Sequence, residues 1–261
     1  METTKIGKVV TGSIKLALQQ IELAETEIKG LTNHSLMRRK SEFSIQGIIK
    51  YSHLLILVEV SNYKSIPYAA LKIGVTEPVV YRSIRELEDI TSTNLFHRGT
   101  NFTTSIISGI LVRKAKLIFA ELRHMHDEIH QYNGRMAGEV IIGTQTSSRT
   151  ILVPRAIAQL SERYPNLHFS MIDEPYDNMI NKLRCGEIDI IVGSVRGSSH
   201  QHDVEEKFLF DEPVSILAKS KHTIFKKDKI KIADLAKAGW VVPRNGTPTR
   251  ISLRHSFINL I

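Results

Sequence analysis

Apolar and polar positions fall into three regimes along this chain. Near the N-terminus Val10, Ile14, Ala17, Ile21, Ala24 and Ile28 step by 4 and 3, the spacing of a helix that packs along a seam. The stepping returns at Leu111, Ala115, Ile118, Leu122, Met125 and Ile129, displaced by a constant 101 residues. Lys15-Leu16 recurs as Lys116-Leu117 and Glu27-Ile28 as Glu128-Ile129 under the same shift. Two copies of one amphipathic helix are therefore expected. Each seam can pair two chains or settle on its own domain.

Between the copies, residues 65–98 carry the spacing of two short crossed helices. Ala69 and Ala70 allow close approach, Gly74 supplies a left-handed turn residue, and Thr76 is placed to cap the second helix through its hydroxyl. Pro78 falls in the first turn, where its missing donor costs nothing. Val80, Ile84 and Leu87 line one face, which leaves Glu77, Tyr81, Arg82, Arg85 and Glu88 on the other. An outer face of this kind suits the major groove of duplex DNA. Its charges cancel, with Lys72, Arg82, Arg85 and Arg98 against Glu77, Glu86, Glu88 and Asp89, unlike a strongly basic reading unit.

From Gly138 the pattern alternates between strand and helix. Strands are predicted at 139–144, 167–172 and 188–192, with helices at 147–163 and 176–185 between them. This order implies a parallel, doubly wound sheet, whose ligands lie off the carboxyl ends of the strands. Those ends are 143–148, 193–196 and 242–248, rich in hydroxyls and glycine. A polar small molecule suits them, and plain helix capping accounts equally for 144–148.

Composition narrows the classes. A chain of 261 residues, 42% hydrophobic and 24% charged, has room for two or three modules. The net charge of +8 permits nucleic-acid binding, while Lys226, Lys227, Lys229 and Lys231 read as a solvated loop. No run reaches the roughly 20 apolar residues of a membrane span, and the start at Met1-Glu2 is no signal peptide. The single Cys185 excludes an internal disulfide and fits a reducing compartment. No nucleophile elbow, phosphate loop, dinucleotide fingerprint or cysteine pair is present, so no enzyme, cofactor or metal is expected. His124, His126 and His130 decorate a helix, His126 and His130 on one face, and Asp173, Glu174 and Asp177 read as solvated or capping acids.

The block at 65–98 resembles the winged helix-turn-helix of LysR-type transcriptional regulators. Thr76-Glu77-Pro78 stands where that family reads SQP, and Leu95-Phe96-His97-Arg98 reproduces LFxR. Four positions depart from the pattern: Glu77 for Gln, Tyr81 for Ser, Lys64 for a turn Gly, and Ser92 for the Gly before the wing. The later half resembles the family's effector domain through Leu152-Val153-Pro154, Tyr164-Pro165, Leu183 to Asp189, Leu209 to Pro213 and Trp240 to Pro243. Thr4-Lys5-Ile6-Gly7 is similar to the T-x-x-G that follows the wing, with Ser105 to Ser108 as an eroded second copy. That points to a tandem winged-helix subfamily similar to galactose-binding-protein regulators, as do Pro175-Tyr176-Asp177 and Gly246-Thr247-Pro248.

The resemblance implies an α/β protein overall: an all-α winged helix-turn-helix with a long linker helix, then an incomplete effector domain like periplasmic binding proteins. The expected segments are an orphan linker-type helix at 1–30, a connector at 31–50, the DNA-binding domain at 51–108, a linker helix at 109–136 and the effector domain at 137–261. It implies a cytoplasmic regulator, truncated at both ends, that binds double-stranded DNA and a small-molecule effector, pairs as a homodimer or higher oligomer, and touches no membrane. Ser65, Thr76, Glu77, Tyr81, Arg82, Arg85 and Arg98 would meet DNA; Thr144, Thr146, Ser147, Ser148, Gly193, Ser194 and Thr247 would meet the effector. A small-molecule binding module without DNA affinity, or an inactive dimerisation partner of an intact regulator, are the rival expectations.

Overall fold

The computed structural model describes residues 3–34, 45, 47–97, 103–145, 148–195, 203–236 and 238–257. They divide into two compact units, 1–192 and 193–261. In the first, α1 (Lys5–His34) precedes α2 (Tyr51–Tyr63), α3 (Ile66–Ile73) and α4 (Glu77–Thr91). A short antiparallel wing follows, β1 (Phe96–His97) against β2 (Thr103–Thr104), and then the long α5 (Ile106–Tyr132).

The helical core is built from the apolar positions that the spacing selects. Ala69, Ala70, Val80, Ile84 and Leu87 are buried with Leu57, Val60, Leu95 and Phe96, and the seam residues Ala17, Ala24, Ile28, Leu111, Ala115 and Ile118 join the same cluster. The seams of α1 and α5 meet within one chain. They run antiparallel, with Glu27 paired to Arg113 and Lys114 at 2.5 and 2.9 Å and the Lys5 ammonium 5.9 Å above the Tyr132 ring.

α5 differs from the expected 109–136 at both ends, for local reasons. The Ser105 hydroxyl accepts the Ser108 N–H at 3.1 Å and starts the helix at Ile106, while Gly134, at φ 74°, ends it after Tyr132. α1 runs to His34, four residues beyond the expected 30.

The sheet is parallel, in the order β4 (Asn166–Ile172), β3 (Ala137–Thr144), β5 (Ile190–Val192), with α6 (Val153–Arg163) and α7 (Tyr176–Arg184) as crossovers. The helix expected over 147–163 is interrupted, since a π turn spans Ser148–Leu152 before α6 begins. Pro154 has no N–H to donate to a carbonyl four residues back, so a regular helix cannot pass through it. The strand expected from Ile188 begins at Ile190, because the Asp189 carboxylate takes the Ile141 N–H at 2.7 Å in place of a strand carbonyl.

α5 also seats on this sheet's unit. Arg123 donates to the Asp189 carboxylate at 2.7 Å and to the Gly186 carbonyl at 3.3 Å, His124 Nε2 lies 3.1 Å from the same carboxylate, and Lys116 pairs with Glu187 at 2.8 Å. Gly186, at φ 70°, has no room for a side chain: a Cβ there would lie 2.5 Å from that of Ala120.

In the second unit the described residues form a 3-10 turn (Thr223–Lys226), α8 (Ile232–Ala236) and α9 (Pro248–Phe257), and no strand. Phe208, Leu209, Phe210, Val214 and Leu217 are exposed. α9 begins at Pro248, because Thr247 accepts the Arg250 N–H through its hydroxyl and the Ile251 N–H through its carbonyl. The apolar end at Ile258, Leu260 and Ile261 lies outside the described residues. Among the described residues, no helix is long and apolar enough to cross a membrane.

Candidate DNA interface and effector site

α3 and α4 are joined by the tight turn that the glycine dictates. Gly74 adopts φ 78°, and its N–H returns to the Ala70 carbonyl. Ser65 caps α3, its hydroxyl accepting the Tyr68 N–H at 3.4 Å, a role the sequence reading had not given it. Thr76 stands at the N-cap of α4 by its backbone, φ −85° and ψ 152°, yet its side chain makes no capping bond. This corrects the expected hydroxyl cap. Pro78 at the second helical position has no N–H, and the next donor, Val79, bonds to the Thr76 carbonyl at 3.0 Å. The Thr76 hydroxyl is left exposed and, among the described residues, unused.

The outward face of α4 presents Glu77, Tyr81, Arg82 and Arg85 to solvent. Glu88 does not join them, which corrects the expected outer face: it is half-buried and accepts the Leu95 N–H at 2.9 Å, tying the end of α4 to the wing. Glu86 turns toward α2 and meets Nε2 of the buried His53 at 2.8 Å, with Lys50 4.0 Å away. The Lys50 N–H approaches the other nitrogen, His53 Nδ1, at 3.4 Å, so Nε2 carries the proton and donates to Glu86.

Two of the four acids that balanced the block are thus engaged inside the domain. Lys72, Arg82 and Arg85 stay exposed against Glu77 and Asp89, and among the described residues neither arginine forms an ion pair. Glu86 and Glu88 keep their charges, because a neutral imidazole and a backbone N–H hold them without cancelling them, but both are turned from the outward face, which is left with three cations and two carboxylates. Arg98 lies outside the described residues.

At the effector site, β3 lies between β4 and β5, so the chain passes to opposite sides of β3 and leaves a switch point at its carboxyl end. Thr144 and Ser148 meet there, both buried. The Thr144 hydroxyl donates to the Ile172 carbonyl at 3.3 Å; the Ser148 hydroxyl donates to the Val192 carbonyl at 2.6 Å and accepts the Gln145 N–H at 3.1 Å. These hydroxyls bind the three strand ends to one another. Arg149 pairs with Asp173 on the rim and Lys182 with Glu174, so two of the three acids of that cluster are matched by cations.

Thr146 and Ser147 lie outside the described residues. In the second unit Gly193 and Ser194 are exposed after β5, and the Thr247 hydroxyl donates to the Arg244 carbonyl at 2.9 Å. On α5, His126 and His130 face each other with ring centroids 4.4 Å apart, while His124 turns to Asp189.

Residues 51–105 match the bacterial regulatory helix-turn-helix protein, lysR family, and residues 133–259 match the LysR substrate binding domain. The chain belongs to the LysR family. That family is made of transcriptional regulators, which are not enzymes. The transcriptional regulator CysL of Bacillus subtilis is 26% identical over 206 residues, 78% of this chain and 68% of its own length. The transcriptional regulator GalR of Pseudomonas putida is 23% identical over 205 residues, 78% of this chain but 51% of its own length. The chain thus spans 68% and 51% of the lengths of these two LysR-type relatives. A solved structure of full-length OxyR from Pseudomonas aeruginosa aligns at a TM-score of 0.46 and 19% identity, over 57% of this chain and 51% of the other.

Proposed function

We propose that this chain is a cytoplasmic, sequence-specific DNA-binding transcriptional regulator, assembled as a homodimer or higher oligomer, whose parallel sheet senses a small polar effector. The observation that carries this reading is the outer face of α4. Among the described residues Arg82 and Arg85 are exposed and form no ion pair, and they follow by about two turns a Thr76 hydroxyl that capping does not use. A structural helix would spend such groups on itself. Arginine forks suit guanine edges and phosphates, and Thr76, Ser65 and Tyr81 suit backbone and base-edge contacts. Glu77 sits among them as a selector, disfavouring close phosphates and accepting from cytosine amines. Arg98 would grip the backbone from the wing.

We assign the effector to the carboxyl end of β3, where Thr144 and Ser148 link the strand ends, with Thr146 and Ser147 between them in sequence. A ligand that competes for the Val192 and Ile172 carbonyl partners would loosen β5 and β4 from β3. That differential contact is what shifts a population between two states.

Selection from a pool of random duplexes tests the reading. The full chain should enrich one sequence family, and Arg82→Ala should weaken binding to it by at least about tenfold, one bidentate base contact, with unchanged helix content by circular dichroism. Equal affinity of Arg82→Ala for the enriched duplex, or no enrichment, would contradict it.

A further inference from the structure

α1 and α5 share more than an apolar rhythm. Thr4 caps α1 by accepting the Gly7 N–H at 3.0 Å, and at the same 101-residue shift Ser105 caps α5 by accepting the Ser108 N–H at 3.1 Å. From these matched starts the helices run for 30 and 27 residues. α1 is a second copy of α5 in pattern, start and length, and it lies antiparallel on that helix.

An antiparallel pair of copies has the geometry of a two-fold dimer of either copy. Under the shift Glu27 becomes Glu128 and Ile28 becomes Ile129. A second chain's α5 entering at the register α1 now holds would set its Glu128 on Arg113 and Lys114, as Glu27 sits here at 2.5 and 2.9 Å. Glu128 itself is exposed and, among the described residues, unpaired.

We propose that α1 is a built-in competitor for the pairing surface of α5. Docked in its own chain it closes the seam, and a second copy of this chain pairs through α5 only when α1 leaves. The inference deepens the oligomer reading above and rests on it for what an open seam binds. The closed form has two advantages. α1 buries Ala17 and Ala24 where α5 would bring Ile118 and Met125, so the helices approach closely against the bulkier side. It also arrives on a short tether, at an effective concentration on the order of millimolar.

Sedimentation equilibrium of the full chain across a concentration series tests this, because two exposed acids separate the states. Glu27 acts only in the closed form and Glu128 only in the paired form. The unaltered chain should show a monomer–dimer equilibrium weighted toward the monomer at micromolar concentration. Glu27→Lys turns an attraction toward Arg113 and Lys114 into a repulsion and should lower the dimer dissociation constant by about tenfold. Ala24→Asp, which places a charge in the buried seam, should act in the same direction and more strongly. Adding Glu128→Lys to either should restore the monomer. A mass unmoved by both α1 substitutions, or a dimer indifferent to Glu128→Lys, would overturn the proposal. So would an unaltered chain that is already a dimer and dissociates on Glu128→Lys alone. The readout is mass, so a chain that obeys this pattern yet enriches no duplex sinks the regulator reading and leaves the competitor intact.

Discussion

Lys64 and Ser92 are the two non-glycine residues at positive φ among the described residues, at 51° and 49°. They are also the two positions at which the family's glycines are replaced, each closing a helix of the DNA-binding domain in the left-handed region. A side chain there costs roughly 1–2 kcal/mol, partly offset by the entropy a glycine loses on folding. Lys64→Gly and Ser92→Gly should each therefore stabilise the chain by about 0.5–1 kcal/mol, read as a higher urea midpoint; destabilisation by both would show that the turns are held by something else. Cys185 offers a second check. Burial pushes its thiol above the usual range, opposed by Lys116, raised further by Glu187 and opposed again by Arg113. At pH 8 the folded chain should then react with a disulfide reagent several-fold more slowly than the urea-unfolded chain, and an equal rate would mean the thiol is open to water. The glycine losses were legible in sequence because positive φ is a backbone demand that few residues meet. The inward turn of Glu88 was not, because its partner is the Leu95 N–H of a following segment whose path the helical spacing does not reveal.

At the level of elements, two hydroxyls that look alike in sequence do different work. Ser65 caps α3 through its side chain, whereas Thr76 caps α4 through its backbone alone. Ser65→Ala should cost about 1 kcal/mol of stability, while Thr76→Ala should cost less than about 0.5 kcal/mol, the level of an ordinary surface change, and instead weaken duplex binding. Urea melts and gel-shift titrations of the two variants check this, and an equal loss of stability would return Thr76 to a plain cap. The helix pair, the wing and the three parallel strands were all readable, since period, glycine and proline act over a few residues. What a 4-3 seam faces was not readable. The same stripe serves a neighbour in another chain or in its own, and the pairing of Glu27 with Arg113 and Lys114, with the seam residues in one buried cluster, decides for the latter in this structure.

Across the first unit, α5 links the two functional regions. Its first half is buried with the helix-turn-helix core, with the Tyr51 and Phe119 rings 5.2 Å apart, and its second half is fixed to the sheet by Arg123 and Asp189. Asp189 accepts from Arg123 and from the Ile141 N–H together, so Asp189→Ala leaves the partly buried Ile141 N–H without an acceptor and the Arg123 cation with only the Gly186 carbonyl. A loss of roughly 2–4 kcal/mol is expected in a thermal melt, and a change below about 0.5 kcal/mol would contradict the joint. Charge is the property that most needed the whole molecule. Within a neutral count over 65–98, His53 and Leu95 draw Glu86 and Glu88 away from the outer face, which is left with three cations and two carboxylates. Amide hydrogen exchange of the full chain, with and without its enriched duplex, tests that assignment most directly. Protection confined to 65–104 is the predicted result, and protection elsewhere with none at α3 and α4 would contradict it.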